Sequence, residues 1–311
     1  MANAIEAADL KKNYAGENAL AGLSLSVPGG ALYALIGADG AGKTTLLRIL
    51  ATLGQPDHGA VRILSFDPAI DSGQIRTRIG YMPQRFSLYE DLTVGENMFF
   101  FADVFGVTGE EREQRIERLL RFSRLGPFVN RRAGHLSGGM KQKLALSCAL
   151  IHKPDLLLLD EPTTGVDPVS RKEFWLILKE LKADGITILV STPYMEEAEY
   201  ADQILLLHQG RALIRGEPQR LIDSYPGHLY RVSSSKGKLH HEEKGRLPLG
   251  VLLVYPVSGE LHVVSDLPLE RREEILNSMR GLVPEADSIE AVRPRLEDLF
   301  FYYLTFGSRG Q

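Results

Sequence analysis

The chain is poor in cysteine and lacks any long apolar run. Cys148 is the only cysteine among 311 residues, so no disulfide can form within the chain, and a reducing compartment fits. The longest apolar stretches, such as ALYALIG and LLLL, are far shorter than the roughly 18 to 20 residues that a membrane-spanning helix needs. The first residues, MANAIEAADLKKNY, contain no apolar signal core. If the protein serves a membrane, we expect it to do so from outside the bilayer.

A strong excess of charge of either sign is also missing. The formal net charge is −4, so there is no basic footprint for nucleic acid, and we expect no nucleic-acid partner. What remains is an ordinary globular composition, 44% hydrophobic and 24% charged. A chain of 311 residues is long enough for one large domain and a smaller one, with a sizeable core.

Strands and helices alternate along the first two thirds of the chain. The runs ALYALIG, DLLLLDE and ITILVST predict buried strands, and helices are predicted over about 43–53, 94–105, 110–125, 139–152 and 171–183. The segment before ALYALIG is interpreted as short strands broken by Gly and Pro-Gly turns. Apolar strands alternating with helices favour an α/β fold with a parallel sheet covered on both faces.

The composition changes to polar and turn-rich after about Leu221. This stretch contains His240 and His241, which we interpret as loop residues because a metal site would need more ligands. Beyond it, a hairpin, a helix, a strand and a last helix are predicted at GVLLVYPV with ELHVVS, LERREEILNSMRGL, SIEAVRP and LEDLFFYYL. We therefore predict a domain over 1–221 and a small C-terminal accessory α/β domain over 222–311.

A glycine-rich segment follows the first buried strand and fits the pattern G-x-x-x-x-G-K-[ST]. Its backbone N–H groups can converge on phosphate oxygens at the N-terminus of the next helix. Lys43 would reach the β- and γ-phosphates, and Thr44 would offer a hydroxyl to Mg²⁺. A glycine-rich turn with an incidental lysine is the alternative, which the flanking strand and helix disfavour. The predicted phosphate-binding residues are Gly37, Ala38, Asp39, Gly40, Ala41, Gly42, Lys43, Thr44 and Thr45.

Two further motifs follow the glycine-rich segment along the chain. The strand DLLLLDE delivers Asp160, suited to a water-mediated hold on Mg²⁺, and Glu161, which can polarise an attacking water as general base. Before it, LSGGMKQK places Ser137 at a helix cap, and Gly138 and Gly139 leave backbone N–H groups open. Alone, the first could be a plain strand end and the second a plain helix cap.

Over about 4–220, the three motifs together resemble the nucleotide-binding subunits of ABC transporters, for which LSGG is the specific signature. The resemblance implies a P-loop NTPase fold with a RecA-like parallel core, an antiparallel β subdomain and a helical signature subdomain. It also implies ATP and Mg²⁺ as cofactors. Tyr14 would stack on adenine, and Gln84 would touch Mg²⁺ and the lytic water, so that Lys43, Gln84 and Glu161 form the catalytic group. Mg²⁺ would be held by Thr44, Gln84 and Asp160.

The resemblance also implies partners. Ser137, Gly138 and Gly139 would bind the γ-phosphate held by a second ATPase subunit, and GVDP, at 165–168, resembles the loop that crosses between the two subunits. Longer stretches, including FSLYEDLTVGENMFFFADVFGV, STPYMEEAE and the terminal PRLEDLFFYYL, are similar to the ATPases of bacterial drug, lipid and polysaccharide exporters. That implies transmembrane permease subunits as partners and a cytoplasmic location, peripheral on the inner face of the cell membrane. The alternatives are a non-transport ABC ATPase, a subunit that binds ATP but hardly hydrolyses it, and an importer ATPase.

The chain departs from the family pattern in a few positions. Ala38 and Asp39 replace the usual Pro-Asn, where contacts are mainly through the backbone, and Met140 replaces the usual glutamine. Pro193 stands where the switch histidine is expected and has neither a side-chain donor nor a backbone N–H. This predicts weak turnover in a homodimer, and a native partner that carries the histidine. The alternative is that Tyr194 or a shifted loop compensates.

Four further interpretations concern packing. Leu88 and Tyr89 are predicted to be exposed loop residues that receive a permease helix, whereas Phe99, Phe100 and Phe101 are predicted to be core. The charged run EEREQRIERLLRFSR is predicted to be a solvated helix face, and Cys148 an inert packing residue.

Overall fold

The computed structural model describes residues 2–234, 247–248, 250–257, 260–280, 283 and 286–307. His240 and His241 lie outside the described residues. The chain divides into two compact units, Met1–Pro218 and Gln219–Gln311. The predicted domain boundary, between 221 and 222, lies a few residues beyond this division. Among the described residues, no helix has the length and apolarity needed to cross a membrane.

The first unit contains nine strands and seven helices among its described residues, with an eighth helix at its boundary. The strands are β1 (Asn3–Tyr14), β2 (Glu17–Pro28), β3 (Leu32–Ile36), β4 (His58–Ile63), β5 (Ile79–Met82), β6 (Leu156–Asp160), β7 (Thr187–Thr192), β8 (Gln203–His208) and β9 (Arg211–Gly216). The helices are α1 (Lys43–Leu50), α2 (Ser72–Arg78), α3 (Val94–Val104), α4 (Gly109–Ser123), α5 (Gly138–Leu150), α6 (Pro168–Ala183), α7 (Met195–Ala198) and the boundary helix α8 (Pro218–Asp223). Short 3₁₀ turns cover Gly126–Phe128 and Ala133–His135.

A six-stranded sheet forms the centre of the first unit, in the order β5-β6-β7-β3-β8-β9. Neighbours from β5 to β8 are parallel, and only β9 is antiparallel. All residues of β3, β6 and β7 are buried, which explains their uninterrupted apolar sequences. Because parallel strands end at the same edge, the loops after β3, β6 and β7 meet there, with the β7 loop between the other two.

A second sheet, β2-β1-β4, is antiparallel. The prediction of short strands before β3 is wrong, because β1 and β2 each run for 12 residues. Asp9 and Gly22 have positive φ values of 49° and 94°, and the register of the ladder shifts between Ala7 and Leu10. The glycine thus marks a bulge within a continuous strand and not a turn that ends one. With the parallel core and the helices α3 to α5, the predicted fold class of the first unit is confirmed.

The helix predictions hold with one exception at an N-terminus. Helices α1, α3, α4 and α5 begin within one residue of the predicted positions. Helix α6 begins at Pro168, three residues before the predicted start at 171. Asp167 caps it by accepting hydrogen bonds from the N–H groups of Val169 and Ser170 at 3.1 and 3.0 Å. Asp at the cap followed by Pro in the first turn is a start signal that the sequence contained.

Two packing predictions around α3 are wrong. Phe99 and Phe100 are 41% and 38% exposed, because the buried face of α3 carries Val94, Met98 and Ala102 instead. Leu88, predicted to be exposed, is only 9% exposed, whereas its neighbour Tyr89 is exposed as predicted. The buried side chain of Asn97 holds this loop, accepting from the Tyr89 N–H at 3.0 Å and donating to the Tyr89 carbonyl at 2.9 Å.

Two other packing predictions are confirmed. Helix α4 buries only Ile116 and Ser123, so its charged residues form a solvated face. Cys148 lies in the core, where burial raises the pKa of its thiol and keeps it in the unreactive protonated form.

The second unit is a four-stranded antiparallel sheet with helices. Its order is β11-β12-β10-β13, formed by β10 (His228–Ser233), β11 (Val251–Val257), β12 (Glu260–Ser265) and β13 (Ser288–Ala291). Its helices are α9 (Arg272–Arg280), preceded by a 3₁₀ turn at Leu269–Arg271, and α10 (Leu296–Phe306). The predicted hairpin is β11 with β12, and the predicted α/β character is present.

A buried carboxylate joins α10 to this sheet. Asp298 Oδ1 accepts from the Tyr255 hydroxyl at 2.5 Å and lies 2.7 Å from Nδ1 of His262, while Oδ2 accepts from the Arg295 N–H at 2.7 Å. Burial alone would raise the pKa of Asp298, but the hydrogen bonds from His262, Tyr255 and the Arg295 backbone bring it below its usual value.

Candidate nucleotide-binding site

The glycine-rich loop connects the central strand β3 to α1. A side chain at Gly37 would place its Cβ 2.5 Å from the carbonyl oxygen of Leu207, and one at Gly42 would approach the Ala19 oxygen to 2.3 Å. Gly42 also has a φ of 106°, which only glycine adopts readily. It offers no side-chain cap to α1, so the first N–H groups of that helix remain available to phosphate oxygens.

A cavity of about 490 Å³ opens over this loop. The predicted residues that line it are Tyr14, Asp39, Gly40, Gly42, Lys43, Thr44, Thr45, Gln84 and Glu161. Sequence reasoning missed three further lining residues, Glu17, Asn18 and Ala19, at the start of β2. The signal that could have found them is the short turn between β1 and β2. It pairs Tyr14 with Glu17 and so brings both residues to the same rim of the cavity.

Lys43 and Glu161 form a buried ion pair on the floor of the cavity. Lys43 Nζ lies 2.9 Å from Glu161 Oε1 and donates to the carbonyl oxygens of Gly37 and Ala38 at 2.6 and 3.0 Å. The other oxygen of Glu161 accepts from Gln84 Nε2 at 2.9 Å and from the Thr164 hydroxyl at 3.3 Å. Glu161 thus contacts both of the other residues predicted to be catalytic, Lys43 and Gln84, which come from distant parts of the sequence.

Glu161 has an unusual backbone conformation. Its φ is 47°, a left-handed value that costs a non-glycine residue about 1–3 kcal/mol. The Glu161 N–H donates to the Ser191 hydroxyl at 2.9 Å, and that hydroxyl donates to Asp160 Oδ1 at 2.8 Å. Ser191, on β7, therefore fixes both acidic residues, a role that sequence reasoning did not identify. Strain of this kind is typical of functional sites.

Asp160 is suited to act as a ligand of magnesium. Burial raises its pKa, the hydroxyls of Ser191 and Thr44 oppose this, and the negative charge of Glu161 raises it further. Its Oδ2 is buried and has no hydrogen-bond partner among the described residues, while the Thr44 hydroxyl lies close enough to affect the pKa. A hard cation prefers oxygen ligands of these kinds, and its charge would keep the Asp160 carboxylate ionised.

The signature residues lie away from this cavity. Ser137 caps α5, accepting from the Met140 N–H at 3.4 Å, and neither Ser137, Gly138 nor Gly139 lines the cavity. A Cβ at Gly139 would meet Ser170 of α6 at 2.9 Å, so this glycine is also required for packing between α5 and α6. The N-terminus of α5 is therefore not part of this cavity.

Pro193 follows β7 and does not line the cavity either. The neighbouring Tyr194 donates its N–H to the Thr192 hydroxyl at 3.0 Å, and its ring lies 4.3 Å from the guanidinium of Arg171. The Tyr194 ring is thus in contact with Arg171 of α6.

The fold and the loop at its central strand define a P-loop nucleoside triphosphatase. The family model described as "ABC transporter" matches residues 20–164. "Nod factor export ATP-binding protein I" of Burkholderia orbicola is 40% identical over 224 residues, which are 72% of this chain and 74% of that protein. The chain therefore belongs to the ATP-binding proteins of the ABC transporter family.

Other similarities agree with this membership. "Probable multidrug ABC transporter ATP-binding protein YbhF" of Escherichia coli is 43% identical over 296 residues, which are 94% of this chain and 50% of that protein. The chain thus spans about half the length of this relative. A solved ATP-binding subunit of an ABC transporter superposes with a TM-score of 0.64 at 34% identity, covering 70% of this chain and 92% of that one. A dimeric ATP-binding cassette with bound ADP and Pi superposes with a TM-score of 0.62 at 28% identity, covering 68% of this chain and 98% of that one.

Proposed function

We propose that this chain is the ATP-binding and ATP-hydrolysing subunit of an ABC exporter and drives separate transmembrane permease subunits. The observation that carries the proposal is the contact of Glu161 with both Lys43 and Gln84 in one cavity, next in sequence to Asp160, whose Oδ2 has no hydrogen-bond partner among the described residues. The exporter assignment is supported by the names of the relatives, a multidrug transporter protein and a Nod factor export protein.

The residues of the cavity divide the work of hydrolysis. Lys43 exchanges its carbonyl and carboxylate partners for β- and γ-phosphate oxygens, which frees Glu161 to accept a proton from water. Gln84, which already touches Glu161, orients that water. Thr44 and Asp160, with Gln84, would hold Mg²⁺, whose charge neutralises the phosphate oxygens. Tyr14, half exposed at the rim, offers its ring to the adenine.

The working unit in this proposal is a dimer around two ATP molecules. Ser137, Gly138 and Gly139 present the N-terminus of α5 away from their own cavity, which suits a γ-phosphate held by the second subunit. Charge that develops on the phosphoryl group is then met from both sides, by Lys43 on one subunit and by the signature of the other.

The permease contact is proposed at an exposed aromatic patch consisting of Tyr89, Phe99 and Phe100. The Tyr89 and Phe100 rings are 4.8 Å apart, and the Arg112 guanidinium lies 4.9 Å from the Phe99 ring. An apolar patch rimmed by charge suits an amphipathic helix of a membrane protein. In this proposal the subunit lies in the cytoplasm, peripheral on the inner face of the cell membrane, and no nucleic-acid partner is expected.

Pro193 supports a second candidate, a hydrolysis-poor subunit whose native partner is a second ATPase with a histidine at this position. Proline can donate no hydrogen bond to the γ-phosphate. Tyr194 is the nearest possible substitute, and its ring is engaged by Arg171. In this version ATP binding is normal, and most hydrolysis depends on the histidine of the partner.

Nucleotide-dependent dimerisation tests the proposal directly. We expect the Glu161→Gln variant to bind ATP and to elute as a dimer in size-exclusion chromatography only when ATP is present. The matched variant that also carries Gly138→Asp, which puts a negative charge into the signature, should remain a monomer. A monomer in all cases, or co-purification with ribosomes or DNA in place of a membrane protein, would contradict the proposal.

A further inference from the structure

A buried carboxylate outside the cavity connects two loops of the site. Glu197 lies on α7, and its side chain is only 4% exposed. Its Oε2 accepts hydrogen bonds from the Thr163 hydroxyl at 2.9 Å and from the Thr192 hydroxyl at 2.6 Å. A carboxylate is costly to bury unless it is well paired. Its Oε1 has no hydrogen-bond partner among the described residues, so the bonds from Thr163 and Thr192 are the hydrogen bonds that hold this carboxylate.

The two hydroxyls belong to segments next to the reacting groups. Thr163 comes two residues after Glu161, on the turn in which the Val166 N–H donates to the Thr163 carbonyl at 3.1 Å. Thr192 directly precedes Pro193 and also accepts from the Tyr194 N–H at 3.0 Å. One carboxylate oxygen therefore fixes the segment behind the general base and, through Thr192, both neighbours of Pro193.

The charge on Glu197 is balanced from α6. Arg171 Nη1 lies 3.8 Å from Glu197 Oε1, and its Nη2 lies 3.3 Å from Oε1 of the adjacent Glu196. The same guanidinium covers the Tyr194 ring. Glu196 is a suitable control for Glu197. Its side chain is 70% exposed and bonds to neither threonine hydroxyl.

We propose that Glu197 is a positioning residue for ATP hydrolysis, which fastens the segment behind Glu161 to the loop that carries Pro193. The inference rests on the proposed function. A misplacement of about 1 Å far from the chemistry can cost about 10²-fold in rate, and Thr163, Thr192 and Glu197 are all absent from the cavity lining. Loss of the network should therefore slow turnover without weakening ATP binding.

Steady-state ATPase kinetics of the full chain test this inference. For Glu197→Ala we expect kcat to fall by about 10- to 100-fold, with the KM and the calorimetric affinity for ATP within about twofold of wild type. The control Glu196→Gln should keep both values. Thr163→Val, which removes only the hydroxyl, should lower kcat in the same way, and Thr163→Ser, which keeps it, should restore it.

The threonine pair decides the question if Glu197→Ala proves unfolded in a thermal melt. Equal kcat values for Thr163→Val and Thr163→Ser, both at the wild-type level, would overturn the inference. A parallel fall in kcat and ATP affinity would also overturn it, because general loosening and not positioning would be the cause. A wild-type chain without any turnover would contradict the proposed function itself, whereas normal turnover in all variants would contradict only this inference.

Discussion

Asp160 and Asp298 are both fully buried aspartates, one in each unit, and their surroundings differ. Asp298 receives hydrogen bonds on both oxygens, and its pKa lies below the usual value. Asp160 keeps one oxygen without a partner among the described residues, its pKa is raised, and the next residue is in a strained conformation. A saturated carboxylate stabilises the fold, whereas an unsaturated one is available to bind something else.

The contrast leads to a simple expectation for mutagenesis. Changes to the residues around Asp160 should reduce activity and leave stability nearly unchanged, because these residues are arranged to bind ligands at some cost to the fold. Changes to the residues around Asp298 should reduce stability and leave ATP binding and hydrolysis unchanged. A variant around Asp160 that kept activity, or one around Asp298 that lost it, would break the comparison.

Glu161→Gln should have the largest effect. The amide keeps the shape of the carboxylate but cannot accept a proton from water, so we expect turnover to fall by about 10³-fold. ATP affinity and the melting temperature should change little. A coupled ATPase assay beside a thermal melt checks both, and turnover near the wild-type rate would remove Glu161 from the general-base role.

Pro193→His should raise turnover, by about 10²-fold, since restoring one transition-state donor has about this value. The gain should appear in kcat and not in ATP affinity, because the restored donor acts on charge that develops only in the transition state. Single-turnover kinetics on the isolated chain measure it. A wild-type chain that already turns over at the rate of the histidine variant would show that position 193 is not limiting.

Lys43→Ala should weaken ATP binding by about 10- to 100-fold, because it removes charge-assisted hydrogen bonds worth about 1.5–3 kcal/mol. The variant also leaves Glu161 buried without its cation, so it is the exception around Asp160 in which stability is expected to fall as well. Isothermal titration calorimetry with ATP gives the affinity. Unchanged affinity would contradict the assignment of the phosphate loop.

Asp298→Asn should destabilise the second unit by about 2 kcal/mol and leave ATP turnover at the wild-type level. The pKa of Asp298 is lowered by folding, so its stabilising effect is present above the ordinary aspartate pKa of 3.8 and is lost as the pH falls through the lowered value. The difference in melting temperature between wild type and variant should therefore shrink as the pH falls below about 4. A pH-independent difference, or a loss of turnover, would contradict the structural role.

Local motifs made the phosphate loop and its flanking elements predictable. The spacing of Gly37, Gly42 and Lys43 fixes both a turn and a helix start, and the structure places each where the motif requires. The contact between Lys43 and Glu161 could be anticipated only as proximity, because the partner that a flexible lysine selects depends on packing across more than 100 residues of sequence. For the same reason, the roles of Ser191 and Glu197 could not be predicted.

The errors have physical causes as well. Phe99 and Phe100 were predicted to be core because aromatic residues are usually buried, but the face of α3 that packs is set by Val94, Met98 and Ala102. Leu88 is buried because Asn97 of α3 is hydrogen-bonded to the loop at Tyr89, a contact between a helix and the loop before it that no periodicity reveals. Turn residues within β1 and β2 indicated breaks, while the ladder continued past them as a bulge.

The position of β3 in the sheet has a consequence for biosynthesis. Its two neighbours are β7 and β8, so the strand that carries the phosphate loop is complete at Ile36 but cannot pair until the chain reaches Thr187, about 150 residues later. At a translation rate of about 5–20 residues per second, that strand waits for about 8–30 s with both edges unpaired. During this interval the nascent chain exposes an apolar segment that chaperones can recognise, although β1, β2 and β4 of the other sheet are already complete.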